Sequence, residues 1–90
     1  MTSVADDTLA MRRRRLRFRC WHRGMKEVDL LLGRFADVHA DGLGEADLAA
    51  FEALLDTPDQ DILGWIVNAE PVPDAKRSPL LTRLFAFHGS

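Results

Sequence analysis

The sequence contains one cysteine, so it lacks the usual means of forming a disulfide or a cysteine-based zinc site. A catalytic thiol would need a partnered histidine. His22 is close to Cys20 in sequence, but helix positions two apart point in different directions. The histidines also share no spacing typical of metal ligands. We therefore expect Cys20 to be a reduced, partly buried thiol.

The chain also lacks a long apolar run. No 18-residue apolar stretch is present, which excludes a predicted transmembrane helix, and the N-terminus has no secretory apolar segment. The arginine-rich start resembles a mitochondrial presequence, but Asp6 and Asp7 are atypical of one. A length of 90 residues corresponds to one small domain. We expect a soluble cytoplasmic protein.

The usual sets of catalytic residues are absent as well. No Ser-His-Asp or Cys-His set is visible, and "GLGEAD" (residues 42–47) follows no strand that would make it a phosphate loop. Asp59 and Asp61 lie at a predicted helix start, where capping explains them more simply than acid–base chemistry. The residues alone therefore argue against an enzyme.

Charge is distributed unevenly along the chain. Residues 1–27 hold eight basic residues and three acids (8 − 3 = +5), whereas residues 28–90 hold four basic residues and eleven acids (4 − 11 = −7). This split indicates either a basic face with a negative partner or attraction within the fold. Phe18 and Trp21 lie among the arginines, as base stacking would need. However, the acidic remainder would repel a polyanion, so nucleic acid is an unlikely partner. We expect a solvated arginine face loosely paired with acids elsewhere.

Apolar spacing predicts an all-α fold: a single small domain of about five short helices. Residues 1–7 are predicted to be a flexible tail and 8–90 the domain, with Thr8 capping the first helix. Gly24 would end that helix in the left-handed conformation. The second helix (25–38) has an apolar stripe that we expect to include Val38. Further helices are predicted at 45–56, from Pro58 onward, and within 75–88, where Pro79 marks the first turn.

The glycine at the boundary between the basic and acidic parts lies in the pattern Arg23-Gly24-x-x-Glu27. Arg23 and Glu27 are four residues apart, a spacing that places both on one face of a helix. Gly24 has no side chain, so the backbone of another protein can approach it closely. Taken alone this pattern is weak, since a helix end with a salt bridge would look the same.

Two longer stretches resemble a known family. "RLRFRCWHRGMKEVDLLLGRFAD" (residues 15–37) resembles the start of the succinate dehydrogenase assembly factor (SdhE) family, whose hallmark is Arg-Gly-x-x-Glu followed by an aspartate and an apolar run. "FEALLDTPDQDILGWI" (residues 51–66) resembles the family's later Asp-x-Asp-Leu-x-x-Trp segment. In the second stretch Asp59, Asp61 and Trp65 match, and Ile62 replaces the leucine.

The resemblance implies a five-helix, non-enzymatic factor that promotes covalent attachment of FAD to the flavoprotein subunit of succinate dehydrogenase, with fumarate reductase as a further candidate client. The flavin would bond to a histidine of the client, so FAD belongs to the client and no cofactor is tightly bound here. The implied partner-binding residues are Arg23, Gly24 and Glu27, widened by Arg19, His22 and Lys26. We expect Asp59, Asp61 and Trp65 to have cap and core roles instead.

Overall fold

The computed structural model of the chain describes residues 8–89, which form five α-helices and contain no strand. The helices are α1 (Leu9–Cys20), α2 (Lys26–His39), α3 (Glu45–Leu54), α4 (Asp59–Ile66) and α5 (Pro79–Gly89). Single 3₁₀ turns, Ala40–Gly42 and Asp74–Lys76, precede α3 and α5. The all-α prediction is confirmed. The predicted flexible tail, residues 1–7, lies outside the described residues.

Local chemistry accounts for most helix ends. Thr8 is the N-cap of α1, and its hydroxyl accepts a hydrogen bond from the Met11 N–H at 3.2 Å, as predicted. Pro79 begins α5, also as predicted. The prediction for Gly24 is wrong. Helix α1 already ends at Cys20, and no glycine among residues 8–89 has a positive φ.

The core is centred on α2 and includes Leu16 and Cys20 of α1 as well as residues of the helices that follow. Phe35 of α2 packs edge-on against Phe51 of α3 and Phe87 of α5, with ring centroids 5.7 and 5.4 Å apart. Val38 was predicted to join this stripe, but it is 64% exposed. At 100° per residue it lies about 80° around the helix from Val28, at the edge of the buried stripe. Within the described residues, no helix is long and apolar enough to cross a membrane.

Several arginines of α1 form ion pairs with carboxylates in the acidic part of the chain. Arg12 donates from Nε and Nη2 to the Glu52 carboxylate (3.2 and 2.8 Å) and from Nη1 to Glu45 (2.6 Å). Its side chain is only 15% exposed, so the expected loose, solvated pairing is wrong here. Arg17 pairs with Asp41 at 2.7 Å, but this pair is exposed and fits the expected solvated pairing. The basic and acidic parts of the chain therefore bind each other, and these ion pairs join α1 to the segment that contains α3.

This pairing predicts a pH-dependent stability. The hydrogen bond from Arg12 holds the pKa of Glu52 below its usual value. A lowered folded-state pKa means that the pair stabilises the fold above the unfolded pKa, and that this stabilisation is lost as the pH falls through the folded pKa. Glu52→Gln should therefore unfold at a lower urea concentration than wild type at pH 7. The difference should shrink progressively at acid pH, as Glu52 becomes protonated in the folded state as well.

The matched control is Asp74→Asn, because the Asp74 side chain is 95% exposed. This variant should follow wild type at both pH values. Equal urea midpoints for Glu52→Gln and wild type at pH 7 would show that the pair does not stabilise the fold.

Candidate partner-binding site

The Arg-Gly-x-x-Glu residues lie at the junction of α1 and α2. Arg23 and Gly24 belong to the loop between the two helices, and Glu27 lies exposed in the first turn of α2. The prediction that Arg23 and Glu27 share one helix face is therefore wrong, because α1 stops at Cys20 and α2 starts at Lys26. The motif forms a loop followed by a helix start.

A single carboxylate, that of Asp59, organises this loop. Its Oδ1 accepts from Arg23 Nε at 2.7 Å, and its Oδ2 accepts the backbone N–H groups of Gly24 and Met25 at 3.0 Å each. The Asp59 side chain is 15% exposed and that of Arg23 is 12% exposed. Asp59 was expected to cap α4, but Pro58 occupies the N-cap position and Asp59 follows it. Its main contacts are with a loop 34 to 36 residues earlier.

The side chain of Arg23 points into the fold. Its Nη1 donates to the Leu55 carbonyl and its Nη2 to the Thr57 carbonyl, both just beyond the end of α3. A cation is favourable there, because the last carbonyls of a helix carry partial negative charge. The Arg23 N–H also donates to Asp29 Oδ1 at 2.6 Å. Arg23 thus ties the α1–α2 loop to the α3–α4 junction.

No contact within the chain explains why position 24 is a glycine. It is exposed and lacks a positive φ, and a Cβ built on it would lie 3.4 Å from Asp59 Oδ2, an ordinary contact. Gly33 is the contrasting case, because a Cβ there would overlap the Trp21 indole. The fold requires a glycine at position 33 but tolerates a side chain at position 24. The absence of a side chain at Gly24 therefore leaves its backbone unobstructed on the outer surface of the protein.

The loop lines a shallow depression of about 420 Å³. Its walls are Phe18, Arg19, His22, Arg23, Gly24 and Asp59. Four of the predicted site residues thus lie together, while Lys26 and Glu27 are exposed beside them at the start of α2. Phe18 and Asp59 were missed as site residues. The spacing of Phe18 and His22, four residues apart, was the available signal for Phe18.

Nucleophilic chemistry has no support in this region. Cys20 is fully buried rather than partly buried, and burial raises its pKa to about 12, which keeps the thiol protonated at neutral pH. Within residues 8–89, no group of three or more histidine, cysteine or acidic side chains is arranged to hold a metal ion. The depression presents backbone, aromatic and basic groups, together with the Asp59 carboxylate that is paired with Arg23.

Replacing Asp59 with asparagine tests whether this carboxylate holds the loop. Asp59→Asn keeps the shape but removes the charge that three donors share, so the free energy of unfolding should fall by about 2 kcal/mol. Amide hydrogen exchange at Gly24 and Met25 should quicken. Asp61→Asn, an exposed site in the same turn of α4, is the control and should change neither. Unchanged exchange in Asp59→Asn would rule out the anchoring role.

Comparison with known proteins gives a consistent result. A family model described as "Flavinator of succinate dehydrogenase" matches residues 14–88. The chain is 41% identical over 83 residues to a protein of Acetobacter pasteurianus named FAD assembly factor SdhE, covering 92% of this chain and 76% of that protein. It is 39% identical over 82 residues to the mitochondrial succinate dehydrogenase assembly factor 2 of Meyerozyma guilliermondii, covering 87% of this chain and 61% of that protein.

A third relative, the mitochondrial succinate dehydrogenase assembly factor 2 of Dictyostelium discoideum, is 39% identical over 69 residues, which cover 77% of this chain. The match covers 49% of that protein, so the chain spans about half to three fifths of the length of these two mitochondrial relatives. No solved structure matches the sequence significantly. The family match extends from α1 to α5 and includes the whole Asp59-anchored loop, so the chain belongs to the succinate dehydrogenase flavinator family.

Proposed function

We propose that this chain is a non-enzymatic assembly factor that promotes covalent attachment of FAD to the flavoprotein subunit of succinate dehydrogenase. Family membership supports the general role. The observation that carries the site assignment is Gly24, where an exposed backbone is kept free of a side chain although the fold would accept one. Fumarate reductase is a second candidate client.

The proposed mechanism is selection of a client conformation. The client would supply both the histidine and the flavin. With the two correctly placed, the 8α-methyl carbon of the flavin would lose a proton and bond the histidine nitrogen, and the two electrons released would remain in the flavin ring, which is left reduced. A factor that binds this arrangement more tightly than others raises its population by the difference in binding free energy. No nucleophile, metal or tightly bound cofactor is then required of the factor itself. FAD belongs to the client, and we place the encounter in the cytoplasm.

Roles within the site divide between holding and contacting. Arg23 and Asp59 hold the loop, since their charged groups bond to each other and to backbone of the chain. Gly24 provides the close backbone contact. The polar rim is formed by Arg19, His22, Lys26 and Glu27. Fixing the loop before binding lowers the entropy cost of association.

Nucleic acid is a poorer candidate partner. A polyanion would need basic groups available to its phosphates. Much of the basic segment is already bound to carboxylates within the chain: Arg12, Arg17, Arg19 and Arg23 each form such a pair. Approaching phosphates would meet these carboxylates as well as the arginines. The geometry therefore favours a protein surface as the partner.

Gly24→Arg tests the proposal. Because the position is exposed and its Cβ is accommodated, the free energy of unfolding should change by about 1 kcal/mol or less. The added side chain should nevertheless prevent close approach of the client. In cells lacking the native protein, Gly24→Arg should fail to restore in-gel flavin fluorescence of the denatured flavoprotein subunit, whereas wild type should restore it.

Gly42→Arg is the matched control, since Gly42 is exposed with open space around it and follows the opposite end of α2. It adds the same charge and bulk but should restore fluorescence fully. If both arginine variants restore fluorescence, Gly24 is not a contact. If fluorescence is unchanged in cells lacking the protein altogether, the client attaches its flavin unaided and the proposed function is wrong.

A further inference from the structure

Phe18 is an aromatic side chain that the fold leaves in solvent. Helix α1 buries Leu16 and Cys20, whereas Phe18 is rotated about 200° from Leu16 and is 62% exposed. Exposure of so large an apolar ring to water is unfavourable. A single exposed apolar residue is nevertheless common, and it needs an explanation only when other features accompany it. Here the ring has a defined partner and a defined position.

The partner is His22, one helical turn later. The two rings stack with centroids 3.9 Å apart and planes 18° from parallel. His22 Nδ1 lies 2.7 Å from the Phe18 carbonyl, so a proton on that nitrogen donates to the carbonyl and fixes the imidazole over the phenyl ring. The stack is therefore ordered before any partner arrives, which lowers the side-chain entropy lost on binding.

The position is the wall of the same depression that contains Gly24. Phe18, His22 and Gly24 all line it. A partner backbone that approaches Gly24 closely would bring its neighbouring side chains against the aromatic stack. This adjacency is independent of the Arg-Gly-x-x-Glu pattern, which does not include Phe18.

Exposed cations near the stack indicate which chemical groups of a partner it would contact. Arg14, one turn before Phe18, lies on the same side of α1 and is exposed. On the other side of Gly24, Lys26 is also exposed. An apolar ring between cations is complementary to an apolar side chain flanked by carboxylates.

We propose that the Phe18–His22 stack is a second anchor for the flavoprotein subunit, seating an apolar side chain of the client whose neighbours are acidic. This inference rests on the proposed function and adds a contact outside the Arg-Gly-x-x-Glu pattern. An aromatic ring that becomes buried when a partner binds is typical of the few residues that contribute most of the binding energy of an interface. The Phe18–His22 stack contributes binding affinity, and the bare backbone at Gly24 allows the two protein surfaces to approach closely.

The test measures binding of purified flavoprotein subunit, with FAD present, to the full-length protein by titration calorimetry. Phe18→Ala should raise Kd about tenfold or more. His22→Ala, which removes the supporting ring, should raise Kd about threefold. Phe18→Trp, which keeps an aromatic surface, should remain within about threefold of wild type. Wild-type Kd should also rise as salt is added, because cations flank the ring.

Val38→Ala is the matched control, because Val38 is 64% exposed and lies near the opposite end of α2. It should leave Kd unchanged. Circular dichroism and urea unfolding confirm that each variant is folded, which is expected for an exposed helix position. If Phe18→Ala binds as tightly as wild type while Gly24→Arg does not, the second anchor is refuted and the proposed function stands.

Other results would overturn more. If wild-type protein does not bind the flavoprotein subunit at all, the proposed function itself fails. If Phe18→Ala leaves flavoprotein binding intact but weakens binding to a single-stranded DNA oligonucleotide, the stack is a base-stacking platform and the anchor proposal is overturned.

Discussion

The shape of the candidate site depends on the carboxylate of Asp59. It is the point at which the α1–α2 loop and the start of α4 meet, and it receives one guanidinium and two backbone N–H groups. Three donors on one carboxylate make a stronger and more directional junction than a single ion pair, because each bond restricts a different part of the loop. With Asp59 in place, the exposed backbone of Gly24 has a fixed orientation. Arg23 completes the junction by binding the carbonyls beyond α3.

This junction separates two tasks that a short motif would otherwise combine. The arginine of the motif is used inside the molecule, whereas Gly24, Lys26 and Glu27 are left exposed. A surface loop normally loses conformational entropy when a partner binds it. Here that entropy is lost on folding, which under the proposed function leaves more of the binding energy to select the client's conformation. Phe18 and His22 follow the same principle, since their stack is fixed by ring packing and a hydrogen bond.

Local patterns were sufficient to predict the helices but not the way the arginines are used. Periodicity and caps identify α1 to α5 because these signals lie within one turn of each other, as Thr8 and Pro79 illustrate. The roles of Arg12 and Asp59 depend on partners 33 to 40 residues away, and no local spacing reveals them. Gly24 was misjudged for a related reason, since a glycine near a helix end fits both a left-handed stop and an open surface. The family resemblance did place Arg23 and Asp59 in two paired stretches, which was the available hint of their contact.

The internal pairing of the arginines also determines what kind of partner the surface can select. Had the basic half remained in solvent, its charge would attract any polyanion through long-range forces of little specificity. The sequence carries a net charge of only −2, and Glu45, Glu52, Asp41, Asp56 and Asp59 bind arginines at close range, so the long-range electrostatic field of the basic part is reduced. Under the proposed function, recognition would depend on short-range features, namely a bare backbone at Gly24 and an aromatic ring beside it. Such features discriminate between protein surfaces by fit.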